Sequence, residues 1–146
     1  MRHIFAILSV VLFLQTVRAE DTIYSVDADV KALCVANTFS FGIVALTKVS
    51  SYEVYLRRIL RRDHAIECLL EVYNRGTPEA KLYALAAFHV LAPKLFEQCR
   101  KDMTGKYNPV VHFWCGCIYS EGSMLEFLLR IKDCEYDETI KEYLGG

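Results

Sequence analysis

SSYEVYLRRIL (Ser50–Leu60), DHAIECLLEVYNRG (Asp63–Gly76) and TPEAKLYALAAFHVL (Thr77–Leu91) follow one another with almost nothing between them. Each reads as a helix. Ser50-Ser51-Tyr52-Glu53 has the form of a capping box, in which the serine hydroxyl meets a free backbone N–H and Glu53 reaches back. Tyr52, Tyr55, Leu56, Ile59 and Leu60 then recur at i, i+3, i+4, i+7 and i+8, a single apolar stripe. Arg57, Arg58, Arg61 and Arg62 take the other face. Asp63 suits the N-cap of the second helix, whose stripe is Ile66, Leu69, Leu70 and Tyr73. Gly76 ends it. Thr77 caps the third helix, and Pro78 takes its first position, where the missing N–H is harmless. Leu82, Tyr83, Leu85, Phe88, Val90 and Leu91 make this third helix apolar nearly all round, which places it at the centre of the domain.

Short loops between consecutive amphipathic helices produce antiparallel neighbours. The expected fold is therefore mainly α: a compact antiparallel helical bundle containing a HEAT-like helix pair. A full solenoid needs at least three repeats of about 40 residues, for which the chain has no room.

Towards the N-terminus, Phe39 to Val49 is β-branched and aromatic with Gly42 inside it, and either regular structure fits. Asp27 to Asn37 carries Val30, Leu33 and Cys34 at helical spacing. Glu20 to Val26 reads as an extended lead-in. Residues 1–19 have the form of an export signal: basic Met1-Arg2-His3, an apolar run from Ile4 to Leu14, and small residues Val17 and Ala19 before the cut. That run is about 11 residues, too short for roughly 30 Å of hydrocarbon. Towards the C-terminus, Pro93 permits a short helical turn through Cys99, and Lys101 to Pro109 reads as a loop. Val110 to Tyr119 is a short extended segment. Ser123-Met124-Leu125-Glu126 is a second capping box, followed by the stripe Met124, Phe127, Leu128, Ile131. Asp137 to Leu144 is the terminal helix. The division is thus 1–19 signal peptide and 20–146 a single helical domain.

The chain has 146 residues, 53% hydrophobic and 24% charged, with a formal charge of −1. Without Arg2 and Arg18, residues 20–146 hold 15 basic against 18 acidic residues, a charge of −3. A domain of this size buries roughly 68% of its unfolded surface, enough for a core. Mild acidity argues against a nucleic-acid partner. No later stretch is long and apolar enough to span a membrane. The expected location is exported, periplasmic or secreted.

Six cysteines, Cys34, Cys68, Cys99, Cys115, Cys117 and Cys134, in an exported chain predict up to three disulfides. Fifteen complete pairings exist, and Cys34–Cys117 is preferred, because both lie in apolar surroundings far apart in sequence. Two chemical readings compete with structural bridges. Trp114-Cys115-Gly116-Cys117 echoes a thioredoxin-type dithiol, yet it has one residue between the cysteines and no proline. His112, Cys115 and Cys117, with His64 and Cys68 one helical turn apart, supply soft ligands, but their spacing matches no strong zinc pattern. Neither a metal nor a cofactor is expected.

The four arginines are the candidate partner-binding face, suited to an anionic surface. The alternative is a solvated face paired with Glu53, Glu67 and Glu71. From Glu121 onward, seven acids stand against three bases. His89, in the most apolar helix, reads as a hydrogen-bonded core histidine. No catalytic triad, phosphate loop or His-Glu-x-x-His motif is visible, which points away from an enzyme.

Cys34, Phe41-Gly42, Ser51-x-Glu53 before Leu56-x-x-Ile59-Leu60, Gly76-Thr77-Pro78-x-x-Lys81-Leu82-Tyr83-Ala84-Leu85 and Gly116-Cys117 together resemble a family of small exported bacterial helical proteins. The resemblance runs from Leu33 to Tyr119. It implies export and a helical fold, and carries over no catalytic residue.

The functional expectation is an exported protein-binding domain, in its most concrete form a periplasmic immunity or inhibitor protein that neutralises a toxin or hydrolase. An extracytoplasmic thiol oxidoreductase using Cys115 and Cys117 is one alternative. A membrane-surface or lipid-binding protein is the other.

Overall fold

The computed structural model describes residues 27–44, 48–104 and 108–145. The expected signal segment and the 20–26 lead-in lie outside the described residues. Seven helices and two small antiparallel hairpins are described: α1 (Ala28–Cys34), β1 (Ile43–Val44), β2 (Lys48–Val49), α2 (Ser51–Leu60), α3 (Ala65–Arg75), α4 (Pro78–Leu91), α5 (Pro93–Thr104), β3 (Val110–Cys115), β4 (Ile118–Ser123), α6 (Met124–Lys132) and α7 (Asp137–Gly145).

Helix α4 is the axis. It packs against α3, α5, α6, α7 and β3, as its all-round apolarity demands. Leu82, Tyr83, Leu85 and Phe88 are fully buried. Thr77 caps it by accepting the Ala80 N–H at 3.1 Å. The same hydroxyl donates to the Ala36 carbonyl, and the Thr77 N–H donates to the Cys34 carbonyl at 3.0 Å. The end of α1 is thereby fixed to the α3–α4 junction. Gly76 is required there, because a Cβ would lie 2.5 Å from the Val72 carbonyl oxygen and 2.7 Å from the Ala80 Cβ.

Three local readings change. Asp63 does not cap α3; His64 holds the N-cap position and no side chain caps it. Helix α5 continues to Thr104, through part of the stretch expected to be a loop. The 110–119 segment is half of a hairpin, in register from Val110↔Ser123 to Cys115↔Ile118. Its loop is Gly116-Cys117, with Gly116 at φ 58°, the positive φ at the first central position that a type II′ turn requires.

The expected disulfides are not formed. All six cysteines are free, the preferred Cys34–Cys117 pair included. A bridge needs Cβ atoms about 3.5–4.5 Å apart. The thiols instead sit on separate parts of the fold: the end of α1, α3, α5, the two sides of the β3–β4 turn, and the α6–α7 loop. Aromatic packing closes the core. The Phe39 ring meets Tyr83, Phe41, Tyr136 and Phe127 at centroid distances of 4.9, 5.3, 5.3 and 5.5 Å.

Candidate functional site

Backbone hydrogen bonds to the rest of the domain run from the β3 edge of the second hairpin. Phe39 forms a parallel bridge to Phe113: its N–H donates to the His112 carbonyl at 2.8 Å, and its carbonyl accepts the Trp114 N–H at 3.1 Å. A further donor on that edge, the His112 N–H, goes to Glu79 at 3.0 Å. Glu79 belongs to the first turn of α4 and is buried, and its carboxylate also meets the His112 ring at 2.9 Å. The other ring nitrogen of His112 lies 3.4 Å from exposed Glu121 on β4. Sequence reasoning missed Glu79, since nothing local marks one glutamate of a helix start as buried.

The opposite edge is open. The sheet order is β3-β4, and no strand pairs with the outer side of β4 among the described residues. The bonds to Phe39 turn the backbone groups of His112 and Trp114 away from β4. Phe113 and Cys115 therefore pair inward with Ser120 and Ile118. By the alternation of an antiparallel ladder, the backbone groups of Tyr119 and Glu121 point to the free edge. Gly122 seats the hairpin on α6, since a Cβ would approach Phe127 at 3.0 Å. The protruding end carries exposed apolar side chains, Ile118 at 68% and Tyr119 at 50%. The Trp114 and Tyr119 rings meet edge-on at 5.3 Å.

Between the Phe39–Phe41 segment and the end of β3 lies a cavity of about 120 Å3, lined by Phe39, Phe41, Phe113, Trp114, Tyr136 and Arg130 among others. The Arg130 guanidinium lies over the Phe127 ring, 5.0 Å from its centroid, and is held by both oxygens of Glu135. That pairing holds the Glu135 carboxyl below its ordinary range.

The four arginines separate. Arg57 binds Glu53 at 2.8 Å and lies over the Tyr143 ring at 4.0 Å. Arg62 pairs with Asp27 and, at 2.6 Å, with Asp29; Arg58 reaches Asp29 at 3.3 Å. The partners come from α1 and from within α2. Of the three acids expected on this face, Glu53 alone is used, and Glu71 pairs instead with Arg75. Arg58 and Arg61 stay exposed.

Glu53 does not close the capping box. Ser50 accepts the Tyr52 N–H at 3.3 Å, while Glu53 is fully buried and serves other elements. It accepts the Gly42 N–H at 3.0 Å, the Arg57 guanidinium, and the Tyr143 hydroxyl from α7. Burial raises its pKa above the ordinary value, and the Arg57 and Gly42 contacts only partly offset this.

Cys115 and Cys117 are exposed on either side of Gly116 at the turn. Burial raises the pKa of Cys34 and of Cys99. His89 donates or accepts at 2.8 Å with Asp137, and its ring abuts Phe96 at 4.8 Å. No described helix is long and apolar enough to cross a membrane. No family model matches the chain, and neither a curated protein nor a solved structure matches it.

Proposed function

We propose that the chain is an exported protein-binding domain, of the immunity or inhibitor type, that captures an extended segment of a partner along the outer edge of β4. The supporting observation is the asymmetry of the hairpin. On one edge Phe39 and Glu79 take both backbone groups of His112 and the Trp114 N–H, and the other offers the backbone of Tyr119 and Glu121 beside exposed Ile118 and Tyr119. Strand addition draws affinity from main-chain hydrogen bonds and specificity from alternate side chains. The fitting segment has an aromatic or β-branched residue opposite Tyr119 and a basic residue opposite Glu121. The α3–α4 pair, packed HEAT-like, acts as the rigid support. The arginine face contributes less, because three of its four guanidiniums already hold carboxylates.

The test uses a library of unstructured peptides and two variants. Glu121→Ala keeps the outward N–H, whereas Glu121→Pro removes it at an edge position that tolerates proline. Selected peptides bind the alanine variant, shift the Tyr119 and Glu121 amide resonances, and fail on the proline variant. Equal binding to both variants, or a selection that enriches nothing, overturns the proposal.

A further inference from the structure

Away from the hairpin, three side chains from three elements converge. His89 comes from the C-terminal half of α4, Asp137 opens α7, and Cys134 lies in the loop between α6 and α7. One ligand atom from each lies within 4.8 Å of the others. His89 and Asp137 are mostly buried, and Cys134 is exposed.

The backbone at Cys134 supplies an independent observation. Helix α6 ends in a Schellman motif: the Cys134 N–H donates to the Ile131 carbonyl at 3.0 Å, and the Glu135 N–H to the Arg130 carbonyl at 3.2 Å. This motif places Cys134 at φ 63°, and it is the only non-glycine residue with positive φ among those described. Glycine is the usual residue there, since a Cβ is unfavourable in the left-handed region. A cysteine at such a position keeps a side chain where the helix end would be better served without one. Residues held in sparsely populated backbone regions gather at ligand clamps and active sites.

The arrangement is not that of an activated nucleophile. The thiol's neighbour is the Asp137 carboxylate, not the cation or helix N-terminus that activates a nucleophilic cysteine. One nitrogen, one sulfur and one carboxylate oxygen instead make a borderline donor set. Calcium and magnesium prefer oxygen alone. Zinc takes all three donor types, with bonds of about 2.0–2.3 Å.

We propose that His89, Cys134 and Asp137 bind one divalent transition-metal ion, zinc in particular, with a fourth position on the Cys134 side left to water. Thiolate and carboxylate together balance the ion's charge. On binding, the thiol proton leaves to solvent. The imidazole proton donated to Asp137 moves to Nε2, which frees Nδ1 for the metal. Three protein ligands with one open position is the pattern of zinc sites that retain a water.

The reduced full chain is titrated with zinc by calorimetry and with cobalt by absorption spectroscopy. The expected result is one ion per chain, a raised thermal midpoint, and a thiolate-to-cobalt charge-transfer band. Cys134→Gly is the key variant, because glycine suits the helix end. It unfolds at the same or a higher denaturant midpoint, loses the band, and binds zinc at least about tenfold more weakly. The double variant Cys115→Ser/Cys117→Ser keeps the band. Absence of zinc and cobalt binding to the wild-type chain overturns the proposal. So does a band that survives Cys134→Gly or disappears from the double variant.

Discussion

Replacing Glu53 with alanine tests how the domain is locked. The carboxylate joins three groups from different parts of the chain: the Gly42 backbone, Arg57 on α2 and Tyr143 on α7. Glu53→Ala leaves the Tyr143 hydroxyl and the Gly42 N–H without their acceptor. Breaking a buried charged pair from one side costs about 3–5 kcal/mol. The Arg57 side chain is 37% exposed and recovers water, so the lower end applies, about 3 kcal/mol. Total stability is typically about 5–15 kcal/mol. The midpoint of thermal unfolding should therefore fall by about 12 °C. Urea denaturation supplies the free energy directly. The pH dependence gives a second readout. Because Glu53 titrates above its ordinary value of 4.5 in the folded state, the native chain holds this proton to higher pH than the unfolded chain. Its contribution is complete below the ordinary carboxylate range and is lost as pH rises through the folded pKa. Glu53→Gln mimics the protonated form and lacks that titration. Wild type should thus lose stability relative to Glu53→Gln as pH rises from acid towards neutrality. A loss below about 1 kcal/mol in Glu53→Ala, or a wild-type gain over Glu53→Gln with rising pH, refutes the reasoning.

Tyr83→Phe should cost about 1–3 kcal/mol in urea denaturation. Its buried hydroxyl accepts the Ser40 N–H at 3.0 Å and donates to the Ser40 carbonyl at 3.1 Å, so both groups are orphaned. A neutral result would mean that water reaches Ser40. Gly76→Ala should destabilise by about 1–3 kcal/mol through the contacts at 2.5 and 2.7 Å. Unstrained Gly→Ala changes stabilise by about 0.4–1 kcal/mol, so the sign alone decides.

The helices were legible where one face determines them. The stripe of α2, the Thr77-Pro78 start and the apolarity of α4 are local signals that reappear as packing, whereas the buried face of α3 is Ala65, Cys68, Leu69 and Val72, with Ile66, Leu70 and Tyr73 of the expected stripe only partly buried. The Ser123 cap also holds, accepting the Glu126 N–H at 3.2 Å. What stayed hidden depends on distant partners. Glu53 has the spacing of a capping-box glutamate, but Tyr143, ninety residues on, helps make it a buried acceptor. The arginines look like a free cationic face until α1 brings Asp27 and Asp29 against them. His89 reads correctly as a hydrogen-bonded histidine, while its neighbours Cys134 and Asp137 come from beyond α6. The even cysteine count suggested bridges, because a count carries no information about which thiols meet.

A pattern links these hidden residues. Helices satisfy most of their own backbone, and a helical domain is exposed to error where the chain is not helical. Here three polar side chains on helices each supply what a non-helical stretch lacks. Tyr83 serves Ser40, Glu53 serves Gly42, and Glu79 serves His112. All three are buried, which makes each bond costly to lose. The aromatic cluster around Phe39 adds apolar burial worth about 1.5–3 kcal/mol per large side chain. Staples of this kind do the work expected of disulfides, and they leave the thiols free for other chemistry. The same reasoning isolates the outer edge of β4. No helix side chain bonds the outward backbone of Tyr119 and Glu121 among the described residues, although helix side chains serve Ser40, Gly42 and His112. An open edge beside exposed apolar side chains is where a partner strand gains most, and it is there that the Glu121→Pro comparison should be made first.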